Sequence, residues 1–214
     1  GEKMDQAKNA LRFCVNHLNP QDRFEVVAFS TEATPLFGQV ADNQPERLKE
    51  ALTFLDDLDP IGGTNIEEAL TLALAAQKTQ QERPFFVIYL TDGKATIGET
   101  NKVKLQKNIL AKSRKQVRIF TFGIGTNINT SFLDGLTQAT HAYRTYVLPD
   151  EDIEVKVSDF YTKVTSPVLT NFKIQFSPNI RVADVHYERS DLFRGESISI
   201  LGRYKGTGKG TVTL

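Results

Sequence analysis

The chain has 214 residues, with 26 Lys and Arg balanced by 26 Asp and Glu. That length holds one substantial domain plus a small appendage, and the even charge offers no bulk field to nucleic acid or an anionic membrane. One cysteine, Cys14, excludes an internal disulfide and a cysteine-built metal cage, and no apolar run approaches a bilayer span or reads as a signal peptide.

Residues 2–18 read as a helix, because Met4, Ala7, Leu11, Cys14, Val15 and Leu18 recur at three- and four-residue spacing and form one apolar face. Cys14 is therefore a core residue. Asn19-Pro20 stops the helix, Arg23–Ser30 reads as a strand, and an extended piece around Leu36-Phe37-Gly38 is expected to pair at the sheet edge. Residues 44–55 form a second helix with Pro45 in its first turn. The turn-rich stretch Asp56–Asn65 then empties into a helix over 66–79, with Ile66, Ala69, Leu70, Ala73 and Leu74 inward. Thr64 and Glu67 fit a capping box at its start, which gives the Thr64 hydroxyl an ordinary structural task.

Pro84-Phe85-Phe86-Val87-Ile88-Tyr89-Leu90 is too short for a helix and rich in β-branched and aromatic residues, the pattern of a strand buried on both faces of a parallel sheet. Asp92 thus stands at a strand's carboxyl end, the edge where open α/β sheets bind ligands. Thr91-Asp92-Gly93 also suits a plain turn, and both readings stand on position alone. Residues 101–113 form a lysine-bearing helix with a solvated face, 116–123 a strand, 130–139 a helix, 142–148 a strand and 151–164 a last helix. Gly123-Ile124-Gly125 lacks the full dinucleotide fingerprint. The alternation predicts an α/β fold: a doubly wound, mostly parallel sheet with helices on both faces.

The pattern changes at Thr165-Ser166-Pro167. Leu169–Phe176, Ile180–Tyr187, Glu196–Tyr204 and Gly210–Leu214 alternate without helices, so residues 166–214 are expected to form a small antiparallel β segment of a larger composite β domain. Residues 1–165 form the first domain.

Thr64 and Asp92 are expected on neighbouring loops at one sheet edge, and such oxygen ligands suit a hard divalent cation such as Mg²⁺. Gly62-Gly63-Thr64-Asn65-Ile66 before an Ala-Leu helix, Leu90-Thr91-Asp92-Gly93 after a buried strand, and Phe120–Gly125 one unit later resemble the von Willebrand factor A domain over residues 1–165. Ser190–Glu196 and Leu201-Gly202-Arg203-Tyr204 are similar to the segment that follows this domain in inter-alpha-trypsin inhibitor heavy chains and their bacterial relatives.

The resemblance implies a metal-ion-dependent adhesion site (MIDAS). Its threonine and third-loop aspartate correspond to Thr64 and Asp92, with Gly63, Asn65, Gly93 and Lys94 on the partner-binding rim. Because hydroxyl ligands are neutral, the cation stays electrophilic and takes a carboxylate from a protein or extracellular-matrix partner. The family's first strand and its D-x-S-x-S motif, with three more ligands, are missing before Gly1-Glu2-Lys3-Met4. The cation site is therefore expected to be incomplete and without useful affinity. The gap between residues 23–29 and 85–91 is expected to be filled by a strand from a second copy, a rearranged local strand, or a separate N-terminal fragment.

The implied function is a non-enzymatic adhesion module of a secreted, periplasmic or cell-surface protein. The alternative is a metal-assisted hydrolase or phosphate-binding enzyme using the same edge, with Asp92 catalytic. Against the enzyme, His17, His141 and His186 lie in separate elements, apart from any serine or cysteine motif.

Overall fold

The computed structural model of the chain describes residues 2–59, 62–77, 84–114, 117–164, 167–169, 172–187, 192–193 and 197–214. The chain divides into two compact units, 1–158 and 159–214, with the division inside the last helix. In chain order the first unit runs through α1 (Glu2–Asn16), β1 (Arg23–Phe24), β2 (Val27–Phe29), β3 (Ala33–Pro35), β4 (Ala41–Asp42), α2 (Pro45–Asp56), α3 (Ile66–Ala75), β5 (Phe85–Thr91), α4 (Lys102–Lys112), β6 (Val117–Ile124), α5 (Thr130–Ala139) and β7 (Arg144–Val147), and α6 (Ile153–Val164) leads into the second.

The centre of the first unit is a parallel sheet of order β5-β6-β7, in register Val87↔Ile119 and Phe122↔Thr145. β6 is buried at all eight positions, as a strand covered on both faces must be. One face meets α3, α4 and α5: Val87, Tyr89, Val117 and Ile119 pack with Ile66, Leu70, Leu105, Ile109, Phe132 and Leu136. On the opposite face Phe86 meets Phe120 edge to face, with ring centres 5.4 Å apart. A second cluster joins Val15 of α1, Phe24 of β1, and Ala51 and Leu55 of α2, and Cys14 is buried in α1.

The segment read as one strand over 23–30 is two. The Glu25 carboxylate accepts from the backbone N–H groups of Val26 (2.8 Å) and Phe37 (3.0 Å), which takes those donors out of any ladder. β1 consequently pairs with β4, and β2 with β3. The pairing piece placed at 36–38 is Ala33–Pro35 instead, because Ala28 opposes Thr34 in a tight hairpin.

No described strand lies between β2 and β5: β5 pairs only with β6, and β2 only with β3. The expectation that a rearranged local strand fills this position is therefore not met among the described residues. Phe29 and Tyr89 come together there, ring centres 5.7 Å apart.

The second unit contains β8 (Pro167–Leu169), β9 (Gln175–Phe176), β10 (Arg181–Tyr187), β11 (Leu192–Phe193), β12 (Ile200–Lys205) and β13 (Val212–Thr213), all in antiparallel pairs. The helix end at 76–79, the junction at 165–166 and most of the Ser190–Glu196 motif lie partly or wholly outside the described residues.

Candidate functional site

The carboxyl ends of β2 and β5 and the start of α3 bring three loops together. Gly62 has φ +106°, a conformation suited to glycine, and a Cβ on it would stand 2.6 Å from Thr31 Oγ1. Gly63 donates its N–H to that same Thr31 hydroxyl at 3.1 Å. Thr64 donates its N–H to Thr96 Oγ1 at 2.8 Å, and its carbonyl accepts from the N–H groups of Thr96 (3.0 Å) and Ile97 (3.3 Å). The Asn65 N–H reaches the Ser30 carbonyl at 2.8 Å. The second loop is thus pinned on one side to Ser30 and Thr31 and on the other to the loop after Asp92.

The helix cap is not the box read from the sequence. Asn65 is the cap residue: its Oδ1 accepts from Glu68 N at 3.3 Å while its Nδ2 donates to Glu68 Oε2 at 2.9 Å. Since Asn65 and Glu68 have the same spacing as Thr64 and Glu67, the pattern alone cannot choose between them, and the bond from Asn65 to Ser30 decides. The Thr64 side chain is released from capping and, among the described residues, makes no hydrogen bond.

Asp92 follows β5 and is exposed. Its carboxylate likewise makes no hydrogen bond or ion pair with a described residue. Gly93 lies against the second loop, and a Cβ on it would stand 3.7 Å from Thr64 Oγ1. The buried Thr91 hydroxyl holds the turn by donating to the Gly93 carbonyl at 3.3 Å and accepting from its N–H at 3.4 Å. Lys94 is exposed beside it.

Beneath Asp92, the Tyr89 hydroxyl is buried without a hydrogen bond of ordinary geometry. Burial holds the phenol well above its usual pKa; the nearby Thr91 hydroxyl opposes this and the Asp92 charge adds to it. Thr31, Thr96, Glu68 and Tyr89 were missed by sequence reasoning. A Ser-Thr pair ending the strand at residues 30–31 was the available signal, because polar residues there meet the same edge as Asp92.

The arrangement offers one hydroxyl and one carboxylate, both oxygen donors of the kind a hard cation takes. No group of three His, Cys, Asp or Glu that could hold a metal exists among the described residues. The donors fit such a cation in kind and fall short of it in number. Elsewhere, Gly123 serves packing, since a Cβ there would meet Ile128 and Tyr146 side chains at 2.5 and 2.9 Å, and Gly125 turns the chain at φ +82°.

Residues 1–144 match the von Willebrand factor type A domain. The chain belongs to this family. Human inter-alpha-trypsin inhibitor heavy chain H4 is 29% identical over 220 residues, covering all of this chain and 24% of that protein. The chain thus spans about a quarter of the length of the curated relatives it matches. A von Willebrand factor type A protein from Catenulispora acidiphila has the same fold at TM-score 0.73 and 17% identity, over 98% of this chain and 52% of that one. Proximal thread matrix protein 1 from the mussel byssus, solved with a zinc-occupied MIDAS motif, has TM-score 0.57 and 24% identity, over 73% and 39% of the two chains. Residues 62–65 and 92–98 of this von Willebrand factor A domain form the edge described above. No described helix is long and apolar enough to cross a membrane.

Proposed function

We propose that this chain is the protein-interaction module of a secreted or cell-envelope protein, and that it meets its partner at the carboxyl rim of the sheet. Thr64 and Asp92 are the cation-facing donors, and Gly63, Asn65, Gly93 and Lys94 form the surrounding rim. The carrying observation is that the Thr64 hydroxyl and the Asp92 carboxylate stand on two loops tied to each other and neither is engaged by a described residue. A hydroxyl and a carboxylate left free on a rigid edge suit a Mg²⁺-class ion shared with a partner's carboxylate; the mussel protein of the same fold holds zinc in its own MIDAS motif.

The remaining donors come on a strand that inserts between β2 and β5. A strand there would satisfy the facing backbone groups of both and bring new ligands to the same edge. It comes from the same protein's other segments or from a second copy. The domain ends near residue 165, and residues 166–214 belong to a larger β domain. Binding of this kind needs no nucleophile or general base, so the module turns nothing over.

The test adds a synthetic peptide of alternating apolar residues ending in Asp-Gly-Ser-Gly-Ser. With about 10 mM MgCl₂ it should raise the melting temperature by several degrees, since linkage gives about 2.7 kcal/mol at a hundredfold excess over Kd. EDTA should remove the metal-dependent part of the gain. A peptide that leaves the melting curve unchanged, or Mg²⁺-dependent turnover of nitrophenyl phosphate or ATP that is lost in Asp92→Asn, overturns the reading.

A further inference from the structure

Between Glu99 and Asp134 the sequence has seven lysines and arginines and no Asp or Glu, although the whole chain is neutral. Most of this charge lies on α4, which has four lysines and no acidic residue in its first turn. Leu105 and Ile109 are its buried side. Lys102 and Lys112 flank that side and are tied down, Lys102 Nζ donating to Ser131 Oγ at 3.2 Å and Lys112 Nζ to Thr71 Oγ1 at 2.9 Å. The outward ridge is Val103, Lys104 and Lys107, with Arg114 just beyond the helix.

This ridge works against its own helix. Lys102 and Lys104 sit in the first turn, at the positive end of the helix dipole, and Lys104 and Lys107 are like charges at i,i+3. None of the α4 lysines, nor Arg114, forms an ion pair with a described residue. Val103, at the amino-terminal end of the ridge, leaves 67% of its surface in water. A face tuned only for solubility would mix signs of charge and avoid an exposed valine.

We infer that the outward ridge of α4 is a second docking surface, separate from the rim at Thr64 and Asp92, and that its occupant is an acidic peptide segment with an apolar anchor. Exposed lysines supply charge complementarity, and Val103 supplies the apolar contact that a peptide side chain covers and a sugar or phosphate chain does not. The ridge is convex and carries no aromatic platform for stacking bases, unlike single-strand nucleic acid sites. One exposed valine is too little apolar surface for a helix lying in a membrane interface.

The experiment measures fluorescence anisotropy of a labelled 15-residue peptide of repeated Glu-Glu-Leu, against poly-glutamate and heparin, at low and moderate salt. The Glu-Glu-Leu peptide should bind most tightly, lose about tenfold or more on Lys104→Glu/Lys107→Glu, and weaken as salt shortens the screening length from about 30 Å at 0.01 M to about 8 Å at 0.15 M. Val103→Ser should weaken it severalfold and leave poly-glutamate binding unchanged. The charge-reversed protein should melt no lower than the parent, because a carboxylate at position 104 suits the positive end of the helix dipole that the lysine opposes, and Lys104→Gln/Lys107→Gln, which removes the i,i+3 like-charge pair, gives a second case should reversal perturb folding. Absence of peptide binding at low salt, binding indifferent to these substitutions, or a preference for heparin that depends on the same lysines overturns the inference.

Discussion

Thr64 and Thr96 hold each other by exchanged backbone and side-chain bonds: the Thr64 N–H goes to Thr96 Oγ1 at 2.8 Å, and the Thr96 N–H returns to the Thr64 carbonyl at 3.0 Å. This pair fixes the second loop to the third, so it sets where the Thr64 hydroxyl stands. Thr96→Val keeps the shape and removes the acceptor. It should cost about 1–2 kcal/mol of stability by chemical denaturation, while Thr96→Ser should cost less than half as much. Equal stability for all three proteins would show that the pair is idle.

Gly63 is needed for close approach rather than for an unusual backbone angle. A Cβ there would stand 2.4 Å from Ile97 Cδ1 and 2.8 Å from its Cγ1. Gly63→Ala should destabilise the domain by about 1–3 kcal/mol, the range for overpacking a tight contact. Adding Ile97→Val should recover part of that loss in a double-mutant cycle. Strict additivity of the two changes would contradict the contact.

The buried Tyr89 hydroxyl is a different case, since it has only the Thr91 hydroxyl near it and no hydrogen bond of ordinary geometry to lose. Tyr89→Phe should leave stability unchanged or raise it by about 1 kcal/mol. Its ring neighbour Phe29, tilted 31° against it, keeps the ring in place in either protein. A loss of more than about 1 kcal/mol would mean that the hydroxyl is satisfied in solution.

Burial pushes the Cys14 thiol up to about 12 from 9.0, with a backbone hydrogen bond acting the other way. Its reaction with a disulfide reagent at pH 8 should therefore track unfolding and be slow in the native protein. The folded state keeps this proton more tightly than the unfolded chain. Its contribution is fully present below pH 9 and is lost as pH rises toward 12, so the urea midpoint should fall over that window and fall less in Cys14→Ala.

Much of this architecture could be read from apolar spacing. The buried run at 85–90 and the helix at 130–139 stand where periodicity placed them, because tertiary burial and local pattern agree there. The strand at 23–30 was misread because the Glu25 carboxylate captures backbone donors from Val26 and Phe37, a long-range event that no local pattern records. The cap of α3 was misassigned by one residue for a similar reason: the tie from Asn65 to Ser30 crosses 35 positions of sequence. At the rim, Asp92 was visible as a carboxylate just after a strand and Thr64 as a hydroxyl just before a helix. Their supports Thr31 and Thr96 were not, since each acts through a bond to a distant backbone.

The most direct measurement is an amide NMR titration of this chain with MgCl₂. The account predicts shifts confined to the loops of Thr64, Asp92 and Gly93, saturating only in the millimolar range, about −4 kcal/mol of binding free energy. Micromolar saturation would show that the chain holds a complete cation site by itself, and shifts that bypass these loops would show that the rim is not where the cation binds.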